Sequence, residues 1–275
     1  MNTKNFFLAA ILALTLSGCA NQPQTVKVSV NDDKPVQAVA SGTSTVKNNA
    51  EPVKVVTPAV NSSADSNIAK PLQTEAEIPA KYGLAVTFAQ QAPFGNWDAV
   101  HEETCEEASM VMADKYFRKQ PLTETIMEEE LQKIVKWESD KGYQVDLTAG
   151  ETVKILNDYY GVSAKVSREV TVDQIKYEIF KGNLVLIPVA GRELHNPNFK
   201  GAGPIYHMLV IKGYNDKEFI TNDPGTRKGN GYRYSYDTII NAIHDWNHER
   251  AAGGMTDAEM LQGEKVIVIV DGLTK

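Results

Sequence analysis

Hydrophobic and polar positions divide the chain into three regimes. The apolar run Phe6-Phe7-Leu8-Ala9-Ala10-Ile11-Leu12-Ala13-Leu14-Thr15-Leu16 follows Lys4 closely. Residues 20–80 then contain no Phe, Trp or Tyr, and Pro23, Pro35, Pro52, Pro58, Pro71 and Pro79 recur among polar residues. From Lys81 onward the pattern becomes periodic. It predicts helices from Cys105, over 123–140, over 148–161 and over 171–182. Glu151 three residues after Thr148, and Gln174 three after Thr171, give capping-box spacings, and Gly161 and Gly182 supply stops. Apolar and alternating runs predict strands over 184–189, 207–214, 218–222 and 232–234, then a helix over 237–248 and a last strand over 265–270. Helices clustered ahead of strands that are joined by turns such as Asn215-Asp216-Lys217 predict an α+β fold. Its helices would pack against a mainly antiparallel sheet.

The first regime has the form of a secretory signal. As a helix the apolar run spans about 17 Å, short of a hydrocarbon core of about 30 Å, so it is a poor permanent membrane span. It ends in Leu16-Ser17-Gly18-Cys19, which resembles the lipobox of bacterial lipoproteins. That resemblance implies a signal peptide over 1–18, cleavage before Cys19 and acylation of Cys19 as the new N-terminus. A lipid anchor would then hold the protein outside the cytoplasm in the bacterial cell envelope. Ala20, where an aspartate resembles an inner-membrane retention signal, points to the outer membrane in a cell with two membranes. Residues 19–80 bury too little apolar surface to offset their ordering entropy and read as a tether. Residues 81–275 suit one domain with a single core. The net charge of -7, with no basic block, argues against nucleic acid as a partner.

The chain has two cysteines. With Cys19 assigned to export, Cys105 is a lone thiol at the start of a helix-like stretch, Cys105-Glu106-Glu107-Ala108-Ser109. A helix N-terminus and an imidazolium neighbour both favour a thiolate, the nucleophilic form. His207 opens an apolar strand and Asp223 follows the next. A hairpin turning near Asn215 and Asp216 would bring the two together, so that the carboxylate orients the imidazole. Gln91 is the candidate side-chain donor to a developing oxyanion, with Gln90 as its competitor. The glycine- and proline-punctuated stretch 191–206 would wall a substrate cleft through Gly203 and Tyr206, with Trp97 opposite.

Gln91-Ala92-Pro93-Phe94, Asn96-Trp97-Asp98, Cys105-Glu106-Glu107-Ala108-Ser109, Tyr206-His207-Met208-Leu209-Val210-Ile211-Lys212-Gly213-Tyr214 and Asn222-Asp223-Pro224-Gly225 together resemble bacterial cysteine peptidases of family thirty-nine. This is the papain-like family that includes bacteriocin-processing peptidases and stand-alone secreted relatives. The resemblance implies a papain-like fold and a cysteine peptidase acting on a peptide or protein substrate without a cofactor. It also implies Cys105 as nucleophile, His207 as base, Asp223 as its partner and Gln91 as oxyanion donor. The same acyl-thioester chemistry would serve an amidase or transpeptidase on cell-wall peptides, and an inactive relative would be a binding lipoprotein. Many members carry Gly-Pro after the cysteine, where this chain has Glu106-Glu107. With Glu102 and Glu103, these carboxylates would bias the cleft toward cationic peptides. His101 is a lesser candidate base. His244 and His248 have a zinc-like i, i+4 spacing on the predicted helix, but no third ligand is evident, and no metal is expected.

Overall fold

The computed structural model describes residues 77–275. The signal, the lipobox cysteine Cys19 and nearly all of the tether lie outside the described residues.

Among the described residues, seven strands, all paired antiparallel, form one sheet. They are β1 (Tyr82–Gly83), β2 (Val162–Ser167), β3 (Leu184–Ala190), β4 (Tyr206–Tyr214), β5 (Glu218–Asn222), β6 (Asn230–Ser235) and β7 (Ile267–Leu273), in the order β2-β7-β3-β4-β5-β6, with β1 against β4. Alternation along the central strands feeds two cores. Leu184, Leu186, Met208 and Val210 pack with α1 (Cys105–Arg118), α2 (Glu124–Lys141) and α3 (Ala149–Ile155). Val185, Ile187, Leu209 and Ile211 pack with α4 (Val172–Phe180) and α5 (Tyr236–Ala242). The fold is therefore α+β, with helices on both faces of the sheet.

Helix α1 is buried from Cys105 through Lys115, which makes it the central helix of its layer. It runs against β4, where the Ser109 hydroxyl, 2.8 Å from the Cys105 carbonyl, also lies within hydrogen-bond distance of the Met208 carbonyl at 3.3 Å. This contact fixes the thiol-bearing end of α1 relative to the strand that carries His207. Thr148 and Glu151 form the expected capping box. At Thr171 only half of one forms: the hydroxyl accepts from Gln174 N, but the Gln174 side chain donates to Glu178 instead.

Several elements depart from the expectation, among them the short β1 and the last turn of the helix expected over 148–161, where Leu156–Tyr160 winds as a π-helix. Strand β2 reads Val162-Ser163-Ala164-Lys165-Val166-Ser167, and its short, weakly apolar alternation is stabilised by pairing with β7. The helix expected over 237–248 ends at Ala242, because Ile243 turns extended and pairs with Val189 of β3. Two short helices, α6 (His248–Ala251) and α7 (Asp257–Met260), follow it. His244 and His248 consequently lie in different segments, and the shared helix face behind the zinc-like spacing does not exist. His244 Nδ1 pairs with the Gly263 carbonyl at 3.0 Å, and His248 Nε2 pairs with Glu151 at 2.9 Å.

Candidate active site

The site assembles where α1 begins and β4 begins. Cys105 is the first residue of α1, and His207 is the second residue of β4. The β4–β5 hairpin turns on Asn215, whose side-chain oxygen accepts from the N–H groups of Lys217 and Glu218. Val210 then pairs with Asn222, which sets Asp223 diagonal to His207, within side-chain reach. His207 Nε2 lies 2.8 Å from Asp223 Oδ1, and both residues are buried.

Asp223 collects hydrogen bonds from every side. Besides His207, its carboxylate accepts from the Tyr234 hydroxyl at 2.6 Å, Asn196 Nδ2 at 3.1 Å and the Gly225 N–H at 3.1 Å. Burial opposes its charge, but His207 and the hydrogen bonds from Tyr234 and Gly225 outweigh burial and hold it below the usual carboxylate range. An ionised Asp223 makes Nε2 the protonated imidazole nitrogen and leaves Nδ1 as the basic one. A Cβ on Gly225 would fall 2.9 Å from His207 Cε1, so only glycine lets this loop approach the ring so closely. The Phe199 ring meets the imidazole edge-on, with ring centroids 5.5 Å apart. Neither Asn196 and Tyr234, which brace the carboxylate, nor Phe199 was singled out from sequence. They come from distant segments and carry no local motif.

A cleft of about 600 Å³ opens beside this pair, within the 300 to 1,000 Å³ typical of ligand sites. Cys105, His207, Gln91, Trp97, Gly203 and Tyr206 all line it. Trp97 is 41% exposed. Tyr206 is buried, and its hydroxyl donates to the Leu147 carbonyl at 2.7 Å, so it contributes a wall rather than a polar contact. Gln91 Nε2 donates to the carbonyls of His101, at 2.9 Å, and Glu102, at 3.2 Å, which occupies both amide protons. Its Oε1 is buried without a partner among the described residues. Gln90 donates to the Pro93 carbonyl and does not line the cleft.

His101 is held between Asp98, 2.8 Å from Nδ1, and Glu128, 2.9 Å from Nε2. Burial opposes its charge, but the two carboxylates raise its pKa above the ordinary value. With both ring nitrogens bonded to carboxylates, it clamps the segment leading to Cys105 onto α2 and offers no free basic nitrogen.

The two glutamates after the thiol lie inside the protein. Glu106 is fully buried: Oε1 accepts from the Leu147 N–H at 2.7 Å, and Oε2 lies 2.9 Å from the Cys105 sulfur, which donates to it. Glu107 is 6% exposed and lies against Glu138, whose carboxyl is pushed up to about 7, chiefly by burial. The expectation that Glu106 and Glu107 charge the cleft wall is therefore corrected. Their carboxyls are taken up by the thiol, a backbone N–H and a second buried carboxyl.

This arrangement opposes thiolate formation at rest. Burial first, and Glu106 next, push the Cys105 thiol well above its ordinary pKa, while burial, with Glu107 and Asp146, pushes the Glu106 carboxyl well above its own. Glu106→Gln is expected to reverse part of this. Its amide oxygen can keep the Leu147 N–H while its amide nitrogen turns a donor toward sulfur, which favours the thiolate. Alkylation of Cys105 by iodoacetamide, followed from pH 5 to 10, should then proceed several-fold faster at neutral pH, with its profile displaced to lower pH. An unchanged profile would show that Glu106 does not govern the thiol.

A thiol at a helix N-terminus sharing a cleft with a carboxylate-bound histidine defines the papain-like class of site. The Peptidase_C39 like family model matches residues 84–253, and the chain belongs to that family. A crystal structure described as a C39-like peptidase from Bacillus anthracis is similar to this chain, with 12% sequence identity and a TM-score of 0.46, covering 71% of this chain and 99% of that one. No curated protein matches the chain.

Proposed function

We propose that this protein is a membrane-tethered, extracytoplasmic cysteine peptidase that hydrolyses peptide bonds through an acyl-thioester on Cys105. The observation that carries this reading is the buried His207–Asp223 pair opening onto the same cleft as the thiol at the start of α1. Asp223 fixes the imidazole with Nε2 protonated, so Nδ1 takes the thiol proton as sulfur attacks the scissile carbonyl carbon. The Cys105 N–H, in the first turn of α1 and without an intrahelical acceptor, supports the oxyanion. Gln91 adds a second donor once its longer hydrogen bond, to the Glu102 carbonyl, is released. The imidazolium then protonates the leaving amine. Water attacks the thioester, giving its proton to the imidazole, and the carboxylic acid product departs as the thiol is restored.

Substrate entry must also detach the thiol from Glu106. A site in which that contact never breaks would be a binding lipoprotein, and the resting Cys105–Glu106 hydrogen bond is the observation that favours this second reading. Digestion of a peptide library and of peptidoglycan with the purified full-length protein separates the two. Newly formed peptide termini that depend on Cys105 support the peptidase, and intact substrates support the binder.

The tether rests on Leu16-Ser17-Gly18-Cys19. Cys19→Ser is expected to abolish incorporation of labelled fatty acid and to leave the precursor uncut by the lipoprotein signal peptidase. Unaltered processing of the variant, with no lipid on the wild type, would mark an ordinary secreted protein. Two or more acyl chains hold a protein firmly where one does so marginally.

A further inference from the structure

Five charged residues line the cleft, and they are sorted by sign. Glu102 and Glu103 precede the Thr104-Cys105 pair that opens α1, and Asp146, in the α2–α3 connection, is close enough to raise the pKa of the thiol. Lys200 follows Phe199, whose ring touches His207, and Arg227 lies two residues beyond Gly225, which abuts the same imidazole. One wall, around Cys105, is therefore acidic, and the other, around His207, is basic. None of the five forms an ion pair among the described residues.

Unpaired charges of opposite sign facing one apolar-lined cleft give no internal stabilisation, yet each wall attracts its counter-ion. Asp146 adds a further sign of this. It adopts a left-handed backbone conformation with φ 59°, and burial, with Glu103, holds its carboxyl at about 6, so it is still ionised at neutral pH. Trp97, which lines the same cleft, supplies an apolar face for the substrate stem.

We infer that the cleft selects dipolar peptides, with an ammonium or guanidinium group against Glu103 and Asp146 and a carboxylate against Lys200 and Arg227. The inference rests on the peptidase reading of the cleft, but binding alone tests it. Acetylated, amidated hexapeptides built around a central Ala-Ala would carry Lys and Asp in either order, two Lys, two Asp or two Ser on its two flanks. Their affinities would be measured by calorimetry on the full-length Cys105→Ala variant, at low and physiological salt. One dipolar order should bind about tenfold tighter than the like-charged and neutral peptides, with the advantage shrinking as salt rises. Adding Glu103→Gln with Asp146→Asn should remove only the advantage conferred by Lys. Adding Lys200→Gln with Arg227→Gln should remove only that conferred by Asp. Equal affinities across the set, or variants that weaken every peptide alike, would overturn the inference. Turnover by the wild type is scored separately. Binding preference without hydrolysis keeps the charge assignment and rejects the peptidase, whereas hydrolysis without preference does the reverse.

Discussion

Cys105→Ser is expected to eliminate peptide hydrolysis, a loss of more than about 10³-fold in kcat, while leaving the fold intact. Serine is the informative replacement because of Glu106. Its hydroxyl still pairs with the buried Glu106 carboxyl that the thiol meets at 2.9 Å, so the packing at the start of α1 survives and only the nucleophile changes. Cys105→Ala should lose the same activity and also some stability. It strands Glu106 Oε2 in the interior, and a buried polar group without its partner costs about 1 to 3 kcal/mol. Thermal melting of both variants beside kinetics separates the effects. Equal turnover in Cys105→Ser and wild type would remove the thiol from the mechanism.

The second large effect lies at Asp223. Asp223→Asn should lower kcat by about 10²- to 10⁴-fold, because an amide no longer enforces the imidazole tautomer with Nδ1 basic and cannot balance an imidazolium. The change should also destabilise the protein. All four partners of the carboxylate are donors: His207, Tyr234, Asn196 and the Gly225 N–H. Whichever way the amide turns, its NH₂ replaces an oxygen that accepts from two of them, His207 and Gly225 or Asn196 and Tyr234, and each donor left unpaired costs about 1 to 3 kcal/mol. Denaturant titration should report the stability loss, and a pH profile of kcat should report the altered base. Loss of stability with an unchanged kcat would reduce Asp223 to a packing role.

Much of the framework was legible because it rests on local signals. The capping box at Thr148, the apolar runs that became β3, β4 and β7, and the Asn215 turn each act within a few residues. The His207–Asp223 contact followed from them, since a hairpin with a known turn brings its strand ends together. What escaped was set by packing across the chain. Val162-Ser163-Ala164-Lys165-Val166-Ser167 carries too little apolar surface to read as a strand until β7 lies beside it. The helix expected through His248 lost its second half when Ile243 found Val189. Glu106 and Glu107 read as charges facing the cleft beside the nucleophile. Their burial depends on a backbone N–H at Leu147 and a carboxyl at Glu138, from other parts of the chain. Asn196 and Tyr234 reach Asp223 in the same non-local way, so a motif search stops at the pair and misses its supports.

The central claim is that Cys105, driven by His207, attacks a peptide carbonyl. A peptide carrying an electrophile in place of the scissile bond tests it most directly, using the Cys19→Ser background so that one thiol remains. Intact mass and peptide mapping should find a single adduct on Cys105, formed at a rate that collapses in His207→Ala. An adduct elsewhere, or equal labelling of Cys105 without His207, would contradict the account.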